Sequence, residues 1–205
     1  MSIKHFLLAL GAVALLPRVE AAEPSAARPE YGNPAFANPD TPGLMAGKPA
    51  DASNTVDVIF LKQMAIGGRI EVELGTLAGQ RGDAPAVDEF GKHMVEDHGA
   101  ANSKVTSLAR AAGVELPKEP DAEHEAARRE LAALDGSAFD LRYIDGQIKD
   151  HQKAVQLLTH EIASGQNTKV RDFAAQALPT VMHHLEMARA VHDQLLSAAP
   201  AVARR

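Results

Sequence analysis

Four polar residues interrupt stripes of apolar residues that recur at helical spacing. Glu71, His98, His151 and His184 each stand three or four residues from apolar neighbours on both sides. Positions three and four apart share one helix face, so these side chains are expected to face the core. Three neutral imidazoles and a carboxylate are a ligand set for Zn²⁺, Fe²⁺, Mn²⁺ or Cu²⁺. Asp97, beside His98, could add a further ligand or orient a histidine from behind.

Each of the four residues also lies near the middle of its predicted helix. In an antiparallel bundle with helices of similar length, the midpoints fall at one height, so the four side chains are expected to form one layer. Two other interpretations stay open. The layer could be a metal-free network in which carboxylates accept hydrogen bonds from the histidines, or some of the faces could be misassigned.

Other polar residues are weaker candidates. His93 and His183 are expected on the surface or flank, Asp140 is expected to cap its own helix, and Glu161 is expected to be solvated. The sequence contains no G-x-S-x-G, no phosphate-binding glycine loop and no H-E-x-x-H. Catalytic residues are therefore unknown, and the pattern leaves open whether the protein is an enzyme.

Hydrophobic periodicity and Gly/Pro punctuation predict the elements that position these residues. Asn54 or Thr55 is expected near the first helix start, and Pro179 is expected to kink or split the last helix. Gly67-Gly68 are poor helix residues, which suggests that a neighbouring backbone or a site comes close there. The four main helices are predicted over 57–79, 86–112, 137–164 and 168–197, with a short helix over 121–134.

The connections between these helices predict the topology. The first and second helices, like the last two, are joined by short segments and should form antiparallel hairpins. A longer connection carrying the short helix joins the hairpins. This pattern predicts an all-α fold, a ferritin-like four-helix bundle with one long crossover between helices two and three.

Composition narrows the class of protein. The chain has 205 residues, a formal net charge of −6 and no cysteine, which excludes disulfides, zinc–thiolate sites and iron–sulfur clusters. No concentrated basic face is visible, so nucleic acid is not an expected partner.

The N-terminus has the pattern of an export signal. Lys4 precedes an apolar run over 6–16, which is followed by small residues at Ala21 and Ala22. The run is shorter than a bilayer-spanning helix, which favours a cleaved signal over the alternative of an uncleaved membrane anchor. No membrane span is expected after cleavage following Ala21 or Ala22. The predicted organisation is a signal peptide over 1–21, a Pro-rich linker or arm over 22–54, a helical domain over 55–197 and a tail over 198–205. The expected location is the periplasm or outside the cell.

Several motifs resemble the DUF4142 family of exported bacterial proteins. They are the runs GGRIEVELGTLA from Gly67, HMVEDHGAAN from His93, FDLRY from Phe139, DHQKAV from Asp150 and the LPxxxxHL pattern from Leu178. The resemblance covers roughly residues 56–196 and implies a ferritin-like bundle without a settled biochemical function.

The sequence departs from working di-iron bundles, which carry Glu-x-x-His on two helices. Val95 and Val181 stand three residues before His98 and His184, so a mononuclear site fits better than di-iron chemistry. The leading hypothesis is an exported metal-binding bundle. The alternatives are a non-catalytic envelope or stress-related interaction protein with an envelope protein partner, and a hydrolase or oxidoreductase with an open coordination position. The sequence does not indicate the oligomeric state.

Overall fold

The computed structural model describes residues 51–198, and every element of regular secondary structure in this part of the chain is an α-helix. The five predicted helices are all found, with ends shifted by at most two residues. Their bounds are α1 Thr55–Arg81, α2 Pro85–Ala112, α3 Ala122–Ala132, α4 Gly136–Ser164 and α5 Thr168–Ala198. The predicted signal peptide, nearly all of the Pro-rich segment and all but the first residue of the predicted tail lie outside the described residues.

Helices α1 and α2 form one tight hairpin. Asn54 caps α1 through a reciprocal pair of hydrogen bonds with Asp57, which satisfies donors that a helix start leaves free. Gly75 and Gly91 let the two backbones meet, because a Cβ on either residue would lie 2.6 to 2.7 Å from the carbonyl oxygen of the other.

Helices α4 and α5 form the second hairpin. Helix α5 continues through Pro179, so the predicted alternative of a split near this residue is wrong. Phe173 and Val181 are buried on either side of the proline, and this packing holds both halves of the helix against the core.

The two hairpins pack on each other through α1 against α4 and α2 against α5, while α3 lies against α1 and α4. The core is divided into two apolar clusters. Each of the four long helices passes from one cluster to the other near its middle. These crossing points lie between Met94 and Ala101 on α2, Ile148 and Ala154 on α4, and Val181 and Met187 on α5; on α1 the crossing falls between residues 65 and 70.

Each hairpin loop is held by an aspartate from the opposite hairpin. Asp140 on α4 accepts hydrogen bonds from the backbone N–H groups of Asp83 and Ala84, at the start of α2. The expectation that Asp140 caps its own helix is therefore wrong, because the donors it meets belong to a loop far away in sequence. On the other hairpin, Asp57 accepts from the N–H groups of Gln166 and Asn167.

Glu161 is fully buried, so the expectation of a solvated position is wrong as well. Its carboxyl group lies beside Asp57 and next to Gly165. A Cβ on Gly165 would come within 2.0 Å of Oε1 of Glu161. Burial, followed by the proximity of Asp57, raises the pKa of Glu161 to about 8. Burial also opposes ionisation of Asp57, but the N–H groups of Asn54, Asn167 and Gln166 outweigh it and lower the pKa of Asp57. The two groups thus form a neutral acid beside a carboxylate at neutral pH.

Candidate metal centre

Three histidines meet at the level where the helices cross between the two apolar clusters. His98 on α2, His151 on α4 and His184 on α5 each offer one ring nitrogen within 4.8 Å of the other two. The ring centroids lie 5.4 to 5.7 Å apart, which is nearly an equilateral triangle. His151 and His184 are almost fully buried and His98 is partly buried.

Hydrogen bonds at the far side of two rings fix which nitrogen carries a lone pair. Nδ1 of His151 donates to the backbone carbonyl of Gln147 at 2.9 Å, so Nε2 is left as the basic nitrogen. Nε2 of His184 donates to Oδ2 of Asp97 at 2.9 Å, so Nδ1 is the basic nitrogen there. A carbonyl and a carboxylate can only accept, which is why these tautomers follow.

The remaining ring nitrogens are buried and unsatisfied. Nε2 of His98, Nε2 of His151 and Nδ1 of His184 have no hydrogen-bond partner within the described part of the chain. Buried polar atoms are normally paired because an unpaired one costs about 1–3 kcal/mol. Three such atoms, on rings whose centroids lie within 5.7 Å of one another, form a donor set that a single cation would satisfy.

The three imidazole rings are held in the neutral form that metal binding requires. Burial, followed by the proximity of His151 and His184, lowers the pKa of His98 to about 3. Burial is also the main cause that lowers the pKa of His151 and of His184. All three imidazoles are therefore neutral at physiological pH, which is the form that binds metals.

Glu71, predicted as the fourth member of the layer, lies about one turn away from it along α1. Its Oε2 accepts from Nε2 of Gln147 at 2.7 Å, and its Oε1 lies 3.9 Å from Nδ1 of His151. The carboxylate thus stands behind His151, on the side opposite the basic nitrogen, and does not belong to the group of mutually close donor atoms. Burial raises the pKa of Glu71 to about 7 despite the hydrogen bond from Gln147. At the level of the histidines, α1 instead carries Gly67 and Gly68.

The other candidates occupy supporting or outer positions. Asp97 is about half exposed and holds His184 from behind, which is the orienting role considered for it. His93 is partly exposed near Glu89, and His183 is exposed. Sequence reasoning missed Gln147, although its position four residues before His151 places it on the same face of α4.

Two cavities reach the histidines from opposite sides. The first, which we call the α1/α4 cavity, has a volume of about 260 Å³ and is lined by Gly67, Glu71, His98 and His151 together with residues of α3. The second, the α2/α5 cavity, has a volume of about 180 Å³ and is lined by Asp97, His98 and His184. The buried histidines are therefore bordered by a cavity on each of two sides of the bundle.

Comparison with known proteins places the chain in a family. The profile of DUF4142, described as a domain of unknown function, matches residues 43–191. The chain belongs to the DUF4142 family. No curated protein matches the sequence.

A solved structure shares the fold of this DUF4142 protein. A DUF305 fragment from Deinococcus radiodurans superposes with a TM-score of 0.63 at 15% sequence identity, covering 70% of this chain and 99% of the fragment. At this identity the likeness concerns the helical fold alone. None of the helices among residues 51–198 combines the length and the apolar character that a membrane span requires.

Proposed function

We propose that this DUF4142 protein binds one divalent transition-metal ion through His98, His151 and His184. Three buried, unpaired ring nitrogens support this proposal, and their histidines each offer a ring nitrogen within 4.8 Å of the other two. Zn²⁺, Fe²⁺, Mn²⁺ and Cu²⁺ all accept imidazole ligands, and three protein ligands leave at least one coordination position for water or another molecule.

Asp97 and Glu71 support the ligands rather than replace them in this proposal. Asp97 fixes the tautomer of His184, while Glu71 and Gln147 hold the opposite edge of His151. Such outer partners raise ligand basicity and lock ring orientation. The predicted role of Glu71 as a direct ligand would require its side chain to move around His151.

We also propose a fold type and a cellular location for this metal site. The order of long helices, with a crossover carrying α3, supports a ferritin-like four-helix bundle, and the N-terminal pattern supports export to the periplasm or beyond. Export would place the centre where metal supply differs from that of the cytoplasm.

Equilibrium metal titration of the apo-protein, prepared without a His-tag, tests the proposal. Each of Zn²⁺, Fe²⁺, Mn²⁺ and Cu²⁺ is titrated into the wild type, His151→Gln and the control His183→Gln, with elemental analysis after gel filtration. About one bound ion per chain in the wild type and control, lost in His151→Gln, is expected. Equal retention in all three proteins, or no binding of any ion, would refute it.

A catalytic role is a second candidate, and the two cavities favour it over a purely structural layer. An ion held by three histidines with solvent access lowers the pKa of bound water, which is a route to hydrolysis. Turnover of activated esters and phosphoesters by the metal-loaded protein, lost in His151→Gln, would support this role. Metal binding without turnover of these substrates would leave storage, delivery or sensing as the function.

A further inference from the structure

The two cavities differ in charge and in what closes them, and this difference indicates how an ion reaches the centre. The mouth of the α1/α4 cavity carries Asp121, Glu123 and Asp150, whose side chains are 34 to 66% exposed. Lys153 is the one lysine or arginine that lines it; it pairs with Glu123 at 2.8 Å and lies 3.6 Å from Asp150. Lys149, which is not part of the lining, also lies 3.6 Å from Glu123. Three carboxylates against two ammonium groups still leave this mouth with a net negative charge.

The inner end of the same cavity is formed by the centre itself. His151, which is 1% exposed, lines the cavity, and its Nε2 has no partner among the described residues. His98 lines it too and presents a second unpaired nitrogen. A path with carboxylates outside and neutral imidazoles inside takes a cation from hard oxygen ligands to nitrogen ligands.

Gly67 keeps this path open. A Cβ built on Gly67 meets nothing within 4 Å, so the missing side chain contributes free space rather than a close helix contact. Gly68 has a different role, since a Cβ there would collide with the side chain of Asn102. Gly68 therefore allows close packing against Asn102, whereas Gly67 borders the cavity.

The α2/α5 cavity lacks the negative mouth. Its lining has one acidic residue, Asp97, and one basic residue, the exposed Lys104, so their formal charges cancel. Its electrostatic field does not favour the approach of a cation.

We infer that the metal ion enters and leaves the histidine centre through the α1/α4 cavity, past Asp121, Glu123 and Asp150 and along the open face of Gly67. This inference rests on the proposed metal binding. Carboxylates at a cleft mouth raise the local cation concentration and the association rate, and the effect falls with ionic strength.

Matched obstruction of the two cavities tests the route. Gly67→Phe fills the α1/α4 cavity, and Ala100→Phe, at an exposed position lining the α2/α5 cavity, is its control. Stopped-flow mixing of each apo-protein with Zn²⁺, followed by a zinc indicator dye, gives uptake, and excess chelator gives release. Gly67→Phe is expected to slow both rates about tenfold or more, as a step that needs local opening would. Ala100→Phe is expected to stay within about twofold of the wild type.

Charge removal supplies a second variant that leaves the core untouched. Asp121→Asn with Asp150→Asn should lower the uptake rate about threefold or more at low salt and approach the wild type at high salt. Slow exchange in Ala100→Phe rather than in Gly67→Phe, or unchanged rates in both the Phe and the Asn variants, would overturn the route while leaving the equilibrium stoichiometry intact. Absence of Zn²⁺ binding at equilibrium would instead overturn the proposed function and the route together.

Discussion

Replacing Glu161 by glutamine should change how stability depends on pH. Glu161 is fully buried beside the ionised Asp57, and its pKa is raised from 4.5 to about 8. At about 1.4 kcal/mol per pKa unit, this shift is worth on the order of 4 to 5 kcal/mol. Glutamine keeps the shape and the donor of the neutral acid but cannot ionise.

Because the pKa of Glu161 is higher in the folded state than in the unfolded chain, its contribution to stability decreases as the pH rises. The contribution of Glu161 to stability is fully present below pH 4.5 and is lost as the pH rises through about 8. Asp57 has a lowered pKa, so its own contribution is lost only on acidification below this window. Relative to the wild type, Glu161→Gln should therefore gain stability progressively between about pH 5 and about pH 9, by a few kcal/mol in total.

Urea unfolding followed by circular dichroism measures this difference at each pH. Glu186→Gln, at an exposed position on α5, is the control and should give a constant offset. A difference between Glu161→Gln and the wild type that stays flat across this pH range would show that Glu161 is not held as a neutral acid. That result would refute the description of the Asp57–Glu161 pair.

Three further predictions concern positioning and packing. Asp97→Asn should weaken metal affinity about 10- to 100-fold in equilibrium titrations, because the tautomer of His184 is no longer fixed. The control Glu96→Gln, at the exposed neighbouring position, should have little effect. Equal affinities in both variants would show that Asp97 does not support the metal ligands. In chemical denaturation, Gly75→Ala should lower the free energy of unfolding by more than about 2 kcal/mol, because the added methyl group would collide with a carbonyl oxygen of the facing helix. Gly99→Ala should raise it by about 0.5–1 kcal/mol, because its methyl group meets nothing within 4 Å and alanine favours the helix. The reverse order would contradict the close helix approach. Asp140→Ala leaves two loop N–H groups without their acceptor and should cost about 1–3 kcal/mol in the same assay; an unchanged midpoint would show that solvent replaces the carboxylate.

Much of the fold could be predicted from local signals. Apolar spacing and the positions of Gly82, Gly113 and Gly165 predict the helices, because a helix end is a property of a few neighbouring residues. Asp140 and Glu161 were misassigned for the opposite reason. Their partners lie in loops or helices far away in sequence, and no periodic pattern reports such a contact.

For the histidine centre, too, the features set by a single helix could be predicted, whereas those set by contacts between helices could not. Helical spacing correctly indicates that His151 and His184 face inward, since this depends on one helix at a time. The relative height of helices depends on loop geometry, which no single helix reports, and Glu71 lies at the edge of His151 outside the group of three histidines. The prediction that the glycine pair marks a site or a close neighbour agrees with the position of Gly67 beside the cavity and Gly68 against Asn102.

X-ray absorption spectroscopy of the metal-loaded protein tests the central claim most directly. Three imidazole ligands, recognised by their outer-shell scattering, should surround the ion, at about 2.0–2.1 Å if it is zinc. His98→Ala should reduce the imidazole count by one, while His93→Ala, at a partly exposed position on the same helix, should leave it unchanged. A shell of oxygen atoms alone, or a spectrum that is identical in all three proteins, would contradict a centre built from His98, His151 and His184.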